Sequence, residues 1–198
     1  MKKTIITLII LLMISVQSFA QEQKDQPKEP IRPALVVIDI QNAFLPMIPE
    51  REKEVGLYMI NALIDLFRSK GYPVIRVYHT SAEYGVLPDT EPFEFPETVK
   101  IRPDDPKVIK TYPDGFNKTK LDETIKATGS NTLFLCGLSA VGCVLATWIG
   151  AQNHDYQAFM VKDAIMSHNS EYTDNVEVMF DAVGWEMLKL ILDNAEKK

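Results

Sequence analysis

Residues 131–150, NTLFLCGLSAVGCVLATWIG, decide how the rest of the chain is read. Thr132 to Cys136 is a short apolar run with the length and β-rich make-up of a strand buried on both faces. Gly137 opens a loop of small residues, and after Cys143 the period changes. Val144, Thr147, Trp148 and Ala151 recur at three- and four-residue spacing, which predicts a helix. Cys143 therefore sits where a tight strand-to-helix turn meets the helix start. Unpaired backbone N–H groups and the positive end of the helix dipole favour a thiolate there. The small residues before it let the backbone point N–H groups at whatever the sulfur attacks, the geometry of a nucleophile with an oxyanion site. The competing reading is a buried small hydrophobe, the usual fate of a cysteine in apolar surroundings. Cys136, inside the strand run, is read that way.

Working outward, Ala34-Leu35-Val36-Val37-Ile38 is an unbroken apolar run ending in Asp39, a doubly covered parallel strand with an acid at its carboxyl end. Residues 50–70 read as a helix with Val55, Tyr58, Met59, Ala62, Leu63, Leu66 and Phe67 on its apolar face, closed by Gly71 at C′. Pro73 to Tyr78 is a second strand. Residues 81–106, rich in proline and acids and without a period, predict a long functional loop, a lid or a partner contact, with its acids on a solvated face. A short apolar push, Val108-Ile109, leads into Lys110. A helix starts at 119–122, keeps Leu121 and Ile125 inside and ends at Gly129. Gln157 to Val161 is another strand, a helix begins near Glu171, and Trp185 to Leu190 reads as a last strand. Strands alternating with helices predict an α/β three-layer α/β/α sandwich around a parallel sheet, occupying residues 34–192.

The ends have a different character. Lys2 and Lys3, the apolar stretch Ile5 to Ile14 and the small-x-small sequence Ser18-Phe19-Ala20 make residues 1–20 a cleavable secretory signal peptide, too short in its apolar core to span a bilayer in the mature chain. Residues 21–33 read as a flexible tether and 193–198 as a polar tail. Removing the two lysines of the signal takes the net charge from −6 to about −8. So acidic a surface lacks the basic footprint of a nucleic-acid binder. The mature chain is expected in the periplasm or outside the cell. A Cys136–Cys143 disulfide there would distort the loop between them, so both thiols are expected to be free.

Asp39, Lys110 and Cys143 each close or follow a strand-like run. In a parallel sheet such ends share one edge, so the three can converge. A carboxylate can take the thiol's proton, and an ammonium keeps that carboxylate ionised while favouring thiolate and oxyanion. The segments that carry these residues, VVIDIQNAF (36–44), VIKTYPDGF (108–116) and LFLCGLSAVGCVLATWIGA (133–151), resemble in order and spacing the signatures of the isochorismatase-like cysteine hydrolase superfamily. The resemblance implies a parallel sheet of about six strands and a triad of Asp39, Lys110 and Cys143. It also implies a cis peptide at Leu138–Ser139, an oxyanion hole of the Ser139 and Cys143 N–H groups, and an oligomer of two or more subunits.

Departures from the pattern narrow the expectation. Relatives that hydrolyse nicotinamide carry an Asp-x-His metal site after the second strand. Here that place reads Val77-Tyr78-His79-Thr80-Ser81, and the only other histidines are His154 and His168, so no metal or other cofactor is expected. Isochorismatases proper lack the cysteine, so its presence favours an amide, ureido or imide C–N bond in a small-molecule substrate. Ala140 stands where many relatives have threonine, which makes that part of the pocket less polar. The substrate-binding candidates are Gln41, Phe44, His79, Tyr112 and Phe116, and His168 is a rival general base. The alternatives are a vinyl-ether or ester hydrolase on the same scaffold, and a binding protein that has lost turnover.

Overall fold

Five apolar runs pair side by side in the computed structural model, which describes residues 29–196. The expected signal peptide, tether residues 21–28 and the last two residues of the tail lie outside the described residues. The strands are β1 (Pro33–Ile38), β2 (Val74–His79), β3 (Lys107–Lys110), β4 (Thr132–Leu138) and β5 (Gln157–Met166). All neighbours run parallel, in the order β3-β2-β1-β4-β5. The helices are α1 (Glu50–Ser69), α2 (Leu121–Thr128), α3 (Leu145–Asn153), α4 (Ser170–Met179) and α5 (Trp185–Asp193).

β1 and β4 are buried along their whole length, as their unbroken apolar runs require. Alternate side chains of β1 feed two cores. Leu35 and Val37 pack with Ile60, Leu63 and Phe67 of α1 and with Leu188 and Leu192 of α5. Ala34, Val36 and Ile38 pack with Leu121 and Ile125 of α2, Ala151 of α3 and Val176 of α4. The result is the expected three layers.

Helix α1 ends as its sequence dictates. Gly71 adopts φ 80°, its N–H donates to Arg68 O at 3.0 Å and that of Tyr72 to Phe67 O at 2.9 Å, and the Phe67 and Tyr72 rings meet edge to face. This is a Schellman motif with its hydrophobic contact. The buried stripe of α1, however, is Gly56, Ile60, Leu63, Ile64 and Phe67, while Val55 and Tyr58 are exposed. Aliphatic residues lie all round this helix, so two stripes satisfy the same spacing, and packing against β1 selects one.

Residues 185–190, expected as a strand, form helix α5. Leu188 and Leu192 are buried four residues apart, while Met187 and Leu190 face solvent, a 3.6-residue period that a short apolar run conceals. Next to β5 only a single parallel bridge forms, Val161 with Val183, so the sheet has five strands against the expected six or so. Past α5 the expected polar tail folds back. Ala195 is buried and the Glu196 N–H donates to Ile31 O at 2.9 Å.

Gly137 is indispensable inside β4. Its φ is 119°, and a Cβ there would lie 2.0 Å from Ile38 O on the adjoining β1. The long loop 81–106 is packed down rather than free. Phe93 and Phe95 stack on Tyr78 with centroids at 5.0 and 4.2 Å, and Asp105, far from solvated, pairs with Arg68. The turn around Tyr84, closed by the Ser81–Val86 bridge, is exposed, as are Glu91, Glu97 and Asp104 farther along the loop.

Candidate active site

From β1 the chain builds outward to β2 and β3, then returns to lay β4 and β5 on the other side of β1. Beyond the carboxyl ends of β1 and β4 the connections therefore diverge, leaving the crevice where open α/β sheets bind ligands. Four polar side chains reach it from four strands. Asp39 follows β1, His79 and Lys110 are the last residues of β2 and β3, and Cys143 lies just past β4. Asp39 adopts a left-handed φ of 53° while its N–H continues the sheet pairing to Val77 O at 2.9 Å. A residue other than glycine in that conformation is the kind of strain that clusters at functional sites.

The ammonium of Lys110 donates to Asp39 Oδ2 at 2.7 Å, and the two side chains are 0 % and 4 % exposed. Lys110 Nζ also approaches His79 Nδ1 at 3.3 Å. An ammonium can only donate, so Nδ1 is the acceptor and a neutral His79 carries its proton on Nε2. Burial, helped by the positive charge of Lys110, holds the His79 pKa below its usual value and keeps the ring neutral. Asp39 Oδ1 is buried and has no hydrogen-bond partner. Burial raises the Asp39 pKa, with Lys110 and Cys143 pulling it back only in part.

The sulfur of Cys143, a carboxylate oxygen of Asp39 and a ring nitrogen of His79 all lie within 4.8 Å of one another. Cys143 is half-buried and its thiol pKa is pushed up to about 12, by burial first and the charge of Asp39 second. The expectation of a resting thiolate at a helix N-terminus is therefore corrected to a thiol beside a carboxylate. The local fold explains the difference. Ala140–Val144 forms one wide turn, in which the Val144 N–H donates to Ser139 O at 3.1 Å, and α3 begins only at Leu145. The Leu138–Ser139 peptide is cis, as the resemblance implied. Asp39, His79 and Cys143 have donor types that can hold a metal ion, but the Lys110 charge already sits against two of them.

Above these groups opens a cavity of about 280 Å³. Phe44, Met47, Ile48, Tyr84 and Leu138 supply its apolar wall, and Ser139 and His168 complete it beside the reactive cluster.

Comparison with known proteins places this geometry. An isochorismatase domain model matches residues 33–188, most of the chain. The chain belongs to the isochorismatase family, a family of hydrolases. Among its relatives is the isochorismatase family protein YddQ of Bacillus subtilis, 29% identical over 148 residues, covering 72% of this chain and 82% of that one. Among solved structures, an isochorismatase-like hydrolase from Alkaliphilus metalliredigens superposes with a TM-score of 0.74 at 20% identity, covering 83% and 93% of the two chains. The N-carbamoylsarcosine amidase of Thermoplasma acidophilum superposes with a TM-score of 0.67 at 26% identity, covering 78% and 95%.

In this isochorismatase-family hydrolase the crevice gathers Asp39, Lys110, Cys143, Ser139, Phe44 and His79, and leaves out three expected substrate contacts. Gln41 is fully buried and braces the backbone. Its Nε2 donates to His79 O and Phe93 O at 2.9 and 2.8 Å, and its Oε1 accepts from the His79 N–H at 2.7 Å. Tyr112 points outward, its hydroxyl accepting from Lys118 Nζ at 3.2 Å. Phe116 packs in the core under α3, stacked on His154 at 4.7 Å and near Tyr156. Ala140 is also core rather than pocket wall. His168, the rival base, is exposed at the cavity rim, edge-on to Tyr172 at 5.5 Å, and is not part of the Asp39–His79–Cys143 cluster. Met47, Ile48 and Tyr84 escaped the sequence reading, since only tertiary folding of two loops brings them over the crevice. Leu138 lies inside the opening stretch and was read simply as loop.

Proposed function

We propose that this family member is a metal-independent cysteine hydrolase that cleaves a C–N bond of a small amide, ureide or imide through a thioester. The observation that carries the reading is the division of labour on Asp39. One oxygen is held by Lys110, the other is buried without a hydrogen-bond partner, and a carboxylate oxygen lies within 4.8 Å of the Cys143 sulfur. An acceptor with nothing to accept from is a base awaiting a proton.

Asp39 takes the thiol proton as the sulfur attacks the substrate carbonyl carbon, so the high thiol pKa is met by coupled transfer and no stored thiolate is needed. The N–H groups of Ser139 and Cys143 hold the tetrahedral oxyanion, and the Lys110 charge keeps the growing negative charge affordable in a buried site. Asp39 returns the proton to the departing nitrogen, the C–N bond breaks and a thioester remains. Asp39 then deprotonates a water that attacks the thioester carbonyl, and the proton passes to the leaving sulfur. Lys110 supplies the fixed positive charge between Asp39 and His79, which supports a scheme without a metal. The amidase among the similar structures is in keeping with C–N chemistry.

The enzyme is further proposed to be exported, cut after Ala20, and to act as an oligomer. N-terminal sequencing of the mature protein and its sedimentation test these two points. For the reaction, purified enzyme is screened against small amides, ureides and imides for release of ammonia or amine, with Cys143→Ala as blank. The expected result is release that the blank lacks, with an acyl adduct on Cys143 in mass spectra of quenched reactions. Release that survives Cys143→Ala sinks the proposal.

A further inference from the structure

The wall of the cavity narrows the acyl part of the substrate. We infer that the site accepts acyl groups that are small, uncharged and largely apolar, and turns away substrates that carry a carboxylate. The inference rests on the C–N hydrolase reading and adds a substrate class to it.

At about 280 Å³ the cavity lies near the low end of ligand pockets, which run from about 300 to 1,000 Å³. Phe44, Met47, Ile48, Tyr84 and Leu138 offer a bound molecule carbon surface and, apart from the tyrosine hydroxyl, no side-chain hydrogen-bonding group. Among the described residues, no arginine or lysine lines the cavity. The nearest cation, Lys110, lies beneath the floor with no side-chain exposure, engaged by Asp39 Oδ2 and His79 Nδ1. His79 is kept neutral by burial and by that same ammonium.

A substrate carboxylate entering here loses its water to a hydrocarbon wall and gains no fixed positive partner. It also meets Asp39, an acid already paired with Lys110, the only buried lysine or arginine among the described residues. An amide, ureide or imide group suffers neither penalty. Its carbonyl oxygen finds backbone donors, its nitrogen faces Asp39, and an apolar acyl group fills the rest. A site that specifies charge in this way does so by omission, and omission can be reversed.

The experiment compares kcat/KM at pH 8, where an imidazole is ordinarily neutral, for matched pairs inside a panel of amides, ureides and imides. One pair is 4-methylpentanamide and succinamate, in which a carboxylate replaces an isopropyl group. Another is benzamide and 4-carbamoylbenzoate. The neutral member is expected to be favoured by at least about a hundredfold in any pair that turns over. Met47→Arg, which places a guanidinium at the open rim where Met47 is 59% exposed, should move the ratio toward the acid by more than about tenfold. Equal or preferred turnover of the acids by the unmodified enzyme overturns the inference and leaves C–N hydrolysis standing. So does a ratio that Met47→Arg, confirmed as folded by circular dichroism, fails to move. Release of ammonia or amine from no member of the panel, with no acyl adduct on Cys143, overturns both the inference and the reading beneath it.

Discussion

Cys136 and Cys143 stand seven residues apart, one inside β4 and the other just beyond its end, and burial raises the pKa of both thiols. Cys136 is sealed in the core on the α1 side of the sheet, with Val36 O as its acceptor at 3.7 Å. A peptide carbonyl accepts a hydrogen bond but cannot keep the proton, so that thiol stays inert. Cys143 is also held in the thiol form, yet its neighbour is the carboxylate of Asp39, a group able to take its proton. On the proposed reading, what separates structural from chemical cysteine is the group able to receive the proton, while the resting pKa is high for both. The pair therefore argues against looking for a nucleophile by depressed pKa alone.

The sharpest way to break the comparison is to truncate each sulfur in turn. Cys143→Ala should lower kcat by at least about 10³-fold with little change in stability. Cys136→Ala should leave kcat nearly intact and cost about 1–2 kcal/mol in chemical denaturation. Comparable activity losses from both would mean that the cavity acts as one packed unit and the distinction is false.

Asp39→Asn asks whether the proton acceptor is what matters. Turnover should fall by about 10²–10⁴-fold, the usual worth of a general base. Alkylation of Cys143 by iodoacetamide should nevertheless extend to lower pH than in the unmodified enzyme, because the negative charge that helped raise the thiol pKa is gone and Lys110 remains. On the proposed scheme the carboxylate form of Asp39 is the active one, and burial raises its pKa. Hence kcat/KM should fall as pH drops through a value above the ordinary 3.8. An acid limb at or below 3.8, or an alkylation profile indifferent to Asp39→Asn, would remove Asp39 from the role.

The convergence of Asp39, Lys110 and Cys143 was legible because it depends only on parallel strands, whose carboxyl ends must share an edge. The helix stop at Gly71 and the strand status of β1 and β4 were legible for the same local reasons: a left-handed cap and a doubly buried apolar run. What failed depends on contacts distant in sequence. Gln41 looked like a ligand contact because it follows Asp39, but the loop at Phe93 reaches back and takes both its amide hydrogens' attention together with His79. Tyr112 and Phe116 follow Lys110, but Lys118 engages the exposed Tyr112 hydroxyl and the rings of His154 and Tyr156 engage Phe116. Conversely Tyr84 and Met47 sit in loops with no period, and nothing local says that they cover a cavity. Strand ends could be read; loop destinations could not.

Lys110 offers a test of what the buried ion pair is for. Lys110→Met leaves Asp39 without its cation in a site almost closed to water, and should cost about 3–5 kcal/mol as well as most activity. In Asp39→Asn/Lys110→Met the buried charges disappear together, so most of that stability should return while activity does not. Recovery of neither would mean that the pair also organises the fold around β1 and β3.

The smallest effect is expected at His168. Its ring borders the cavity but stays outside the tight cluster of Asp39, His79 and Cys143, so the proposed scheme gives the proton on the Cys143 sulfur to Asp39 rather than to it. His168→Ala should therefore lower kcat/KM by less than about tenfold, well short of the 10²–10⁴-fold that a lost general base costs. Any loss should appear in KM, since a rim residue touches the substrate without touching the bond that breaks. A large fall in kcat with Asp39→Asn still active would transfer the base from the buried carboxylate to the exposed imidazole. The unpartnered oxygen of Asp39 would then need another explanation, and Cys143 would differ from Cys136 only in being reachable.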